Sequence, residues 1–171
     1  MSRGAARSSR HVRVVIVGHV RGAQEQVATP AEVYEAPATR FVAGFVGNIN
    51  MLEGKVTDSR PDSISIASGA GITISADNAG AVATGDAVWY AIRPEKIKIS
   101  SRRPDSINSI EGEVFDIAYL GDMTVYHVKL DDGRVVKSSM LNSARIAEDQ
   151  LTWSDRAWIS FKPDAGVVLT R

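Results

Sequence analysis

The sequence predicts a mainly β protein in which two short helices precede two similar small barrels. Three observations predict it: a long β-meander, many other short strands separated by turn residues, and a spaced motif that occurs twice in the same order. The meander covers residues 112–136 and is the clearest signal, because apolar and polar residues alternate along both of its long arms.

The centre of the meander carries a specific turn signal. Gly121-Asp122 is a two-residue loop with glycine first, which is typical of a type II′ hairpin turn. That turn places Ile117 opposite Tyr126 and Phe115 opposite Val128. The apolar faces of the two arms then coincide, so pattern and turn agree on one register. The predicted inward-facing residues are Phe115, Ile117, Tyr119, Tyr126, Val128 and Leu130.

Two short helices are predicted before the strands. Thr29, Pro30 and Glu32 form a capping box with proline at the first helical position, and this helix ends near Ala36-Pro37. A second helix is predicted from one apolar face and from Gly47, which suits a left-handed residue after the helix. The residues of that face are Phe41, Val42, Phe45 and Val46.

The remaining chain has the texture of many short strands. They are predicted at residues 51–57, 63–67, 72–75, 87–93, 97–100, 156–161 and 167–170, in addition to the meander. Glycine, proline, aspartate and asparagine occupy the turns between them. Residues 12–17 are a possible edge strand in an otherwise loose tail, and residues 143–149 fit either a helical turn or a loop.

A duplication lies inside the β region. Residues 49–56, INMLEGKV, recur as residues 107–114, INSIEGEV. Residues 86–89, DAVW, precede Arg93-Pro94-Glu95, and residues 155–158, DRAW, precede Lys162-Pro163-Asp164 in the same way. The offsets of 58 and 69 make the second half about eleven residues longer. Each half has the size of a small OB-type barrel and is too small to bury much core alone, so we expect the halves to share a core or exchange strands.

Charge and composition exclude several classes of protein. Residues 1–24 hold five arginines and no acid, so the remaining residues carry 15 bases against 20 acids. This mildly acidic body disfavours nucleic-acid binding, including an OB-type single-strand binder, which needs a basic groove with stacking aromatics. The absence of cysteine excludes disulfides and thiolate metal sites. No apolar run approaches the roughly 18 residues of a spanning helix, so we expect a soluble, cytoplasmic protein.

The sequence offers no catalytic constellation. It contains neither GxxxxGK[ST] nor HExxH, and His127 lies on the predicted outward face of its strand, where a solvated histidine is the expected reading. Large residues near strand ends are either core or anchors of a subunit contact, and these are Trp89, Tyr90, Trp153 and Trp158. The Arg93-Pro94-Glu95 corner either ends a strand or forms an inter-domain ion pair.

Several segments resemble one known family. They are Gln26, residues 29–34 (TPAEVY), Pro37, residues 41–43 (FVA) and 45–48 (FVGN), residues 93–97 (RPEKI), the meander segments 112–114, 118–122 and 125–128, and the ending 152–155 and 167–170. Together they resemble the linker and the transport-associated OB (TOBE) domain of ATP-binding subunits of ABC importers, most closely those of polyamine (putrescine and spermidine) importers.

The resemblance implies a non-catalytic regulatory domain of duplicated OB-like halves that pairs with its copy and works with importer membrane subunits. It divides the chain into a tail or truncated ATPase remnant (1–25), a helical linker (26–48) and the TOBE-type domain (49–171), with halves of about 49–104 and 105–171. ATP and magnesium would belong to the nucleotide-binding domain, and no cofactor or metal is expected in this chain. In a complex we expect it at the cytoplasmic face of the inner membrane.

The alternative is a stand-alone binder of a small ligand or oxyanion in the groove between the halves. The residues expected to serve an interface or regulatory role are Arg93, Glu95, Tyr119, Gly121, Asp122, His127, Trp153 and Trp158.

Overall fold

The computed structural model of the chain describes residues 19–20, 23–24, 26, 28–69, 71–78, 80, 82–142 and 151–171. The possible strand at residues 12–17 and the undecided segment 143–149 lie outside these ranges. None of the helices in the described ranges is long and apolar enough to cross a membrane.

The described chain contains two short helices and twelve strands. The helices are α1 (Pro30–Glu35) and α2 (Arg40–Phe45). The strands are β1 (His19–Val20), β2 (Ala23–Gln24), β3 (Asn50–Ser59), β4 (Ser63–Ala67), β5 (Thr73–Asp77), β6 (Ala87–Ile92), β7 (Lys98–Ser100), β8 (Asn108–Leu120), β9 (Met123–Leu130), β10 (Val135–Leu141), β11 (Arg156–Phe161) and β12 (Val167–Leu169). The prediction of a mainly β protein with two leading helices is therefore confirmed.

The predicted helix signals are confirmed in part. Thr29 caps α1 with a complete capping box to Glu32, and Gly47 after α2 has a φ of 92°. The predicted apolar face of α2 is wrong at Phe41 and Phe45, which are exposed. Their rings stack on each other with centroids 6.1 Å apart. The buried residues of α2 are Val42 and Ala43.

Strands β1 and β2 pair with each other, and the other ten described strands form two five-stranded sheets that exchange one strand each. The first sheet has the order β12-β6-β3-β4-β5 and the second β10-β9-β8-β11-β7. Strand β7, from the first half of the sequence, pairs with β11, and β12, from the second half, pairs with β6. The expected exchange of strands is thus present, and each exchanged strand becomes an edge strand of the other half's sheet.

The duplication predicted from the sequence is visible in local detail. An added Cβ at Gly54 would lie 2.6 Å from the carbonyl oxygen of Ala67, and one at Gly112 would lie 2.8 Å from that of Lys129. The pairing register also shifts at equivalent places, between Val56 and Asp58 and between residues 114 and 116. Each half therefore needs glycine for the same close backbone approach and bends its first strand at the same β-bulge.

The bulge corrects half of the predicted hairpin register. Ile117 lies opposite Tyr126, as predicted, and Gly121 alone of its two-residue loop has positive φ, 75°, which fits a type II′ turn. Val128, however, lies opposite Val114 and not Phe115. The extra residue of the bulge moves Phe115 out of the inward alternation, and it is 59% exposed. Tyr119, also predicted to face inward, lies near the hairpin tip and is exposed.

One hydrophobic core serves both sheets. It includes Ile64, Ile74 and Tyr90 from the first sheet and Tyr126 and Ile159 from the second. Tyr90 stacks on Phe161 of the other half with ring centroids 5.6 Å apart. Burial raises the pKa of Tyr90, whose hydroxyl packs beneath Gly166. Because the two halves share one core, neither half has a separate hydrophobic core.

Two equivalent asparagines join each half to the far edge of the other. The Asn50 amide donates to the Lys137 carbonyl oxygen at 2.8 Å and accepts from the Lys137 N–H at 2.7 Å. The Asn108 amide makes the same pair of bonds with the backbone of Ser75, each at 2.8 Å. Both asparagines are buried. We call these two pairs of bonds the asparagine clasps.

A third contact crosses between the halves. The Arg134 side chain donates to both the hydroxyl and the carbonyl oxygen of Ser68, which is fully buried. The same guanidinium pairs with Asp132 and holds the pKa of that carboxyl below its usual range. The turn after β9 is thereby fixed against the turn after β4.

We predict that Asn50→Ala lowers the free energy of unfolding by about 1–3 kcal/mol, because it leaves the partly buried backbone groups of Lys137 without their asparagine partner. Urea denaturation followed by circular dichroism measures this. Asn48→Ala is the control, because Asn48 is exposed and its removal should change stability by less than about 0.5 kcal/mol. Equal effects of the two substitutions would contradict the role given to the clasp.

Candidate functional site

The junction between the helical linker and the barrel is built around Arg93. Arg93 follows β6, is only 3% exposed, and donates from Nη1 to the Asn48 carbonyl oxygen and from Nη2 to the Tyr34 carbonyl oxygen, both at 3.1 Å. Its guanidinium lies 4.0 Å from the centre of the Tyr34 ring. A planar, delocalised cation is suited to stacking and donating at the same time, so one side chain fixes the end of α1 to the barrel.

The neighbours of Arg93 complete this junction. The Tyr34 hydroxyl donates to the Glu95 carboxylate. This hydrogen bond raises the pKa of Tyr34, and burial of the side chain raises it further by a smaller amount. Lys96 forms an ion pair with Glu35 at the end of α1. The ion pair suggested for the Arg93-Pro94-Glu95 corner is therefore made by the following residue, whereas Arg93 holds the linker through carbonyl oxygens and an aromatic ring. Exposed ion pairs contribute little, so Arg93 is the main anchor.

Helix α2 covers the outer face of the first sheet. Ala43 packs with Ala91 and Leu169, and the Arg40 guanidinium lies 3.8 Å from the centre of the Trp89 ring. The backbone N–H of Arg40 also donates to the carbonyl oxygen of Arg171 at 2.9 Å. The linker is thus attached at two places, through α1 to the Arg93 corner and through α2 to the sheet.

The equivalent face of the second sheet differs in chemistry. Serines occupy the positions equivalent, in the repeat, to three of the apolar residues on the face that α2 covers. The equivalent pairs are Ser109 and Met51, Ser160 and Ala91, and Ser100 and Leu169. Trp158 stands for Trp89 and has the Arg103 guanidinium 5.2 Å from its ring centre. Apolar residues occur where a helix covers the sheet, and serines where the face lines clefts.

Clefts lie on the second half and at its boundary with the first. One, of about 760 Å³, runs between the edge strands β7 and β10. A second, about 520 Å³, lies between the two equivalent proline corners and is lined by Lys96, Lys98, Lys162, Ser106 and Ser160 among others. A third, about 200 Å³, is lined by Trp158, Glu111, Asp131 and Asp132 among others. Among the described residues, no group of three or more histidines or acids is placed to hold a metal ion.

The residues predicted to serve an interface do not converge on one site. Arg93 and Glu95 meet at the linker junction, and Glu95 also lines the cleft of about 760 Å³. Tyr119, Gly121 and Asp122 lie at the tip of the β8–β9 hairpin. Trp153 is 55% exposed in the turn before β11, and Trp158 lines the cleft of about 200 Å³.

His127 is less solvated than the sequence predicts. It does lie on the outward face of β9, but only 23% of its side chain is exposed. Its Nδ1 is buried, has no hydrogen-bond partner among the described residues, and lies 4.0 Å from a carboxylate oxygen of Asp116. Asp116 lies directly opposite His127 in the strand register, as the predicted turn also requires.

Sequence reasoning missed three important residues. Asn50 and Asn108 had a usable signal, because both occur at the same place in the repeated motif. Tyr34 had none, since its role depends on a contact with Glu95, 61 residues away.

Residues 90–169 match the family model described as "TOBE domain". The chain is 36% identical over 152 residues to the "Putrescine transport ATP-binding protein PotG" of Escherichia coli, covering 88% of this chain and 40% of that protein. It is 32% identical over 160 residues to the "Spermidine/putrescine import ATP-binding protein PotA" of Chromobacterium violaceum, covering 92% of this chain and 44% of that protein.

A solved structure shares the fold. The cytoplasmic molybdate-binding protein ModG, crystallised with molybdate bound, superposes with a TM-score of 0.62 at 18% sequence identity, over 70% of this chain and 94% of that one. At this identity the likeness concerns the fold alone. The chain spans less than half the length of the curated relatives above.

We predict that Arg93→Lys loosens the linker, because lysine cannot stack on Tyr34 while reaching two separate carbonyl oxygens. Amide hydrogen exchange in α1 should become faster, and the free energy of unfolding should fall by about 1–3 kcal/mol. Lys96→Ala is the control, since it removes only an exposed ion pair worth less than about 1 kcal/mol. Unchanged exchange in α1 of the Arg93→Lys protein would show that another contact holds the linker.

Proposed function

We propose, from the match of residues 90–169 to the TOBE domain model, that the chain is the non-catalytic regulatory and dimerisation domain of an ATP-binding protein of a polyamine importer. Its parent complex would move putrescine or spermidine across the membrane. ATP and magnesium would be bound by the nucleotide-binding domain of that parent, and this chain would hydrolyse no ATP itself.

The similarity to the polyamine-importer proteins carries the proposal. The match to the E. coli putrescine transport protein covers 88% of the chain and so leaves out 12%. The uncovered part is shorter than the 25 residues that precede the linker. The linker, residues 26–48, and most of both sheets therefore lie inside the match. The likeness therefore extends well upstream of residue 90, where the family match begins, and includes the segment that carries Tyr34 and α2.

The geometry supports a mechanical role. Arg93 ties α1 to the corner after β6, and α2 packs on the first sheet. Two attachments make the linker and barrel move as one body, since rotation about either contact would break the other. A domain joined in this way passes a change in its own position or association directly to whatever its linker is attached to. In an importer, the proposed location of the chain is the cytoplasmic face of the membrane, beside the membrane subunits.

We expect the chain to sediment as a dimer at micromolar concentration and to show no ATP hydrolysis above the buffer rate. Sedimentation velocity over a dilution series and a phosphate-release assay with ATP and magnesium measure the two properties. A strict monomer would remove the dimerisation part of the proposal. Turnover of ATP by the purified chain would contradict its non-catalytic part.

A second candidate function is the binding of an oxyanion. The 520 Å³ cleft between the two halves is lined by three lysines, two serines and two carboxylates. These are Lys96, Lys98, Lys162, Ser106, Ser160, Glu95 and Asp105. Lysines and hydroxyls supply the donors that an oxyanion needs. The solved neighbour of the same fold is a molybdate-binding protein, which favours this chemistry as the alternative.

Thermal denaturation separates the two candidates. A ligand bound only by the folded chain stabilises it, by about 2.7 kcal/mol at a hundred times its dissociation constant. If the second candidate is correct, molybdate or sulfate raises the melting temperature, and Lys162→Gln abolishes the shift. An oxyanion shift that survives Lys162→Gln, or no shift at all, would reject this cleft as the site.

A further inference from the structure

The second half is longer than the first because its central strands extend further. Strands β8, β9 and β10 have 13, 8 and 7 residues, whereas their counterparts β3, β4 and β5 have 10, 5 and 5. The extension begins after the shared bulge and forms the far end of the second sheet. It contains the hairpin tip at Gly121-Asp122.

The extension carries an exposed apolar row. Leu120 pairs with Met123, and Met123 pairs with Leu141, so the three side chains lie side by side on one face across three strands. Leu120 is 60% and Leu141 54% exposed. Neighbouring exposed apolar residues of this kind mark interaction sites more often than single ones do.

The row continues into the 760 Å³ groove between β7 and β10. Met123 and Leu141 line this groove together with Ile97, Ile99 and Met140. At one end the Ser138 hydroxyl donates to the Ile97 carbonyl oxygen at 2.7 Å and closes the seam. Beyond that point the two edge strands have no hydrogen-bonded neighbour on this side in the described chain. We call the row and the groove together the seam surface.

The edge of β10 offers backbone groups to a partner. Asn50 bonds the N–H and carbonyl oxygen of Lys137, so these groups point away from β9. Because backbone groups repeat their direction every second residue, Ser139 presents its own N–H and carbonyl oxygen on the same side, where it lines the groove. The clasp therefore protects the first part of this edge and leaves the second part open.

The first half shows how such an edge is normally protected. The clasps make Ser75 the counterpart of Lys137, so Asp77 is the counterpart of Ser139. Strand β5 ends at Asp77, whereas β10 continues through Met140 to Leu141. A charge at the end of an edge strand opposes pairing with another chain. The second half lacks that charge and adds apolar residues.

The extension is also held in place before any partner binds. The backbone N–H of Asn142 donates to the Asp122 carbonyl oxygen at 2.8 Å, and its side chain donates to the Gly121 carbonyl oxygen and accepts from the Thr124 hydroxyl. These bonds tie the hairpin tip to the end of β10. A preformed surface loses less conformational entropy on association than a mobile one.

From these observations we propose that the seam surface binds the same surface of a second copy of this chain, an inference that rests on the dimerisation part of the proposed function. A two-fold contact requires a self-complementary patch. The groove has a carboxylate at Glu95 and an ammonium at Lys98, which makes no ion pair with another described residue. In the proposed dimer a two-fold axis relates the two copies, and Glu95 of each copy contacts Lys98 of the other. The two apolar rows pack against each other, and the β10 edges of the two copies lie side by side.

The test is the dimer dissociation constant of the full chain and its variants, from sedimentation velocity over a micromolar dilution series. Leu120→Lys/Leu141→Lys should weaken association at least about tenfold, because two exposed leucines lose their contact and four like charges meet. The matched control is Ile107→Lys/Val135→Lys, which adds the same charge at exposed apolar residues outside the seam surface. It should leave the constant within about twofold.

A charge variant tests the self-complementarity separately. Lys98→Glu should weaken the dimer, whereas Lys162→Glu, outside the groove, should not. Circular dichroism confirms that each variant is folded. A wild-type dimer that both seam variants leave intact overturns the seam surface and leaves the dimerisation proposal standing. A wild-type monomer overturns both the seam-surface proposal and the dimerisation proposal. The edge of β10 would then be a binding site for an extended segment of another protein.

Discussion

The exchange of β7 and β12 between the sheets is the constraint on which the rest of this protein depends. Each strand leaves its own half after a proline corner and completes the other sheet. Neither sheet can then form with five strands unless both halves are present. The asparagine clasps act in the same direction, because Asn50 and Asn108 each bond the backbone of one edge residue in the opposite half.

This arrangement explains why the two halves have diverged where they have. Positions that maintain the hairpin inside each half keep the same residue, as at Gly54 and Gly112, where a side chain would collide with the neighbouring strand of that hairpin. Positions on the outer faces are free of that constraint. There the first half keeps apolar residues under α2, and the second half has serines and a longer, apolar hairpin end. The shared interior conserves the fold, and the outer faces give each half a separate role.

The first half holds the linker, and the second half carries the surface that we propose for contact with a second copy. Of the two proline corners, the one at Arg93 contacts the linker in the described chain. The buried Arg93 cation is compensated there by carbonyl oxygens and by the Tyr34 ring. The equivalent Lys162 corner stays exposed and borders a cleft. A regulatory domain needs both properties, because a signal received on one surface must reach the segment that joins it to its neighbour.

The sequence by itself determined the local structure: the capping box at Thr29, the type II′ turn at Gly121, the strand positions and the repeat. Each of these depends on residues close together in the chain, whose preferences are set by sterics and by alternation. Its family resemblance also indicated the TOBE domain. Only the tertiary structure decided that Phe115 is extruded by a bulge, that β7 and β12 change sheets, and that Asn50 reaches Lys137, 87 residues away. Those outcomes depend on which distant backbone groups remain unpaired after the strands assemble, and no local pattern contains that information.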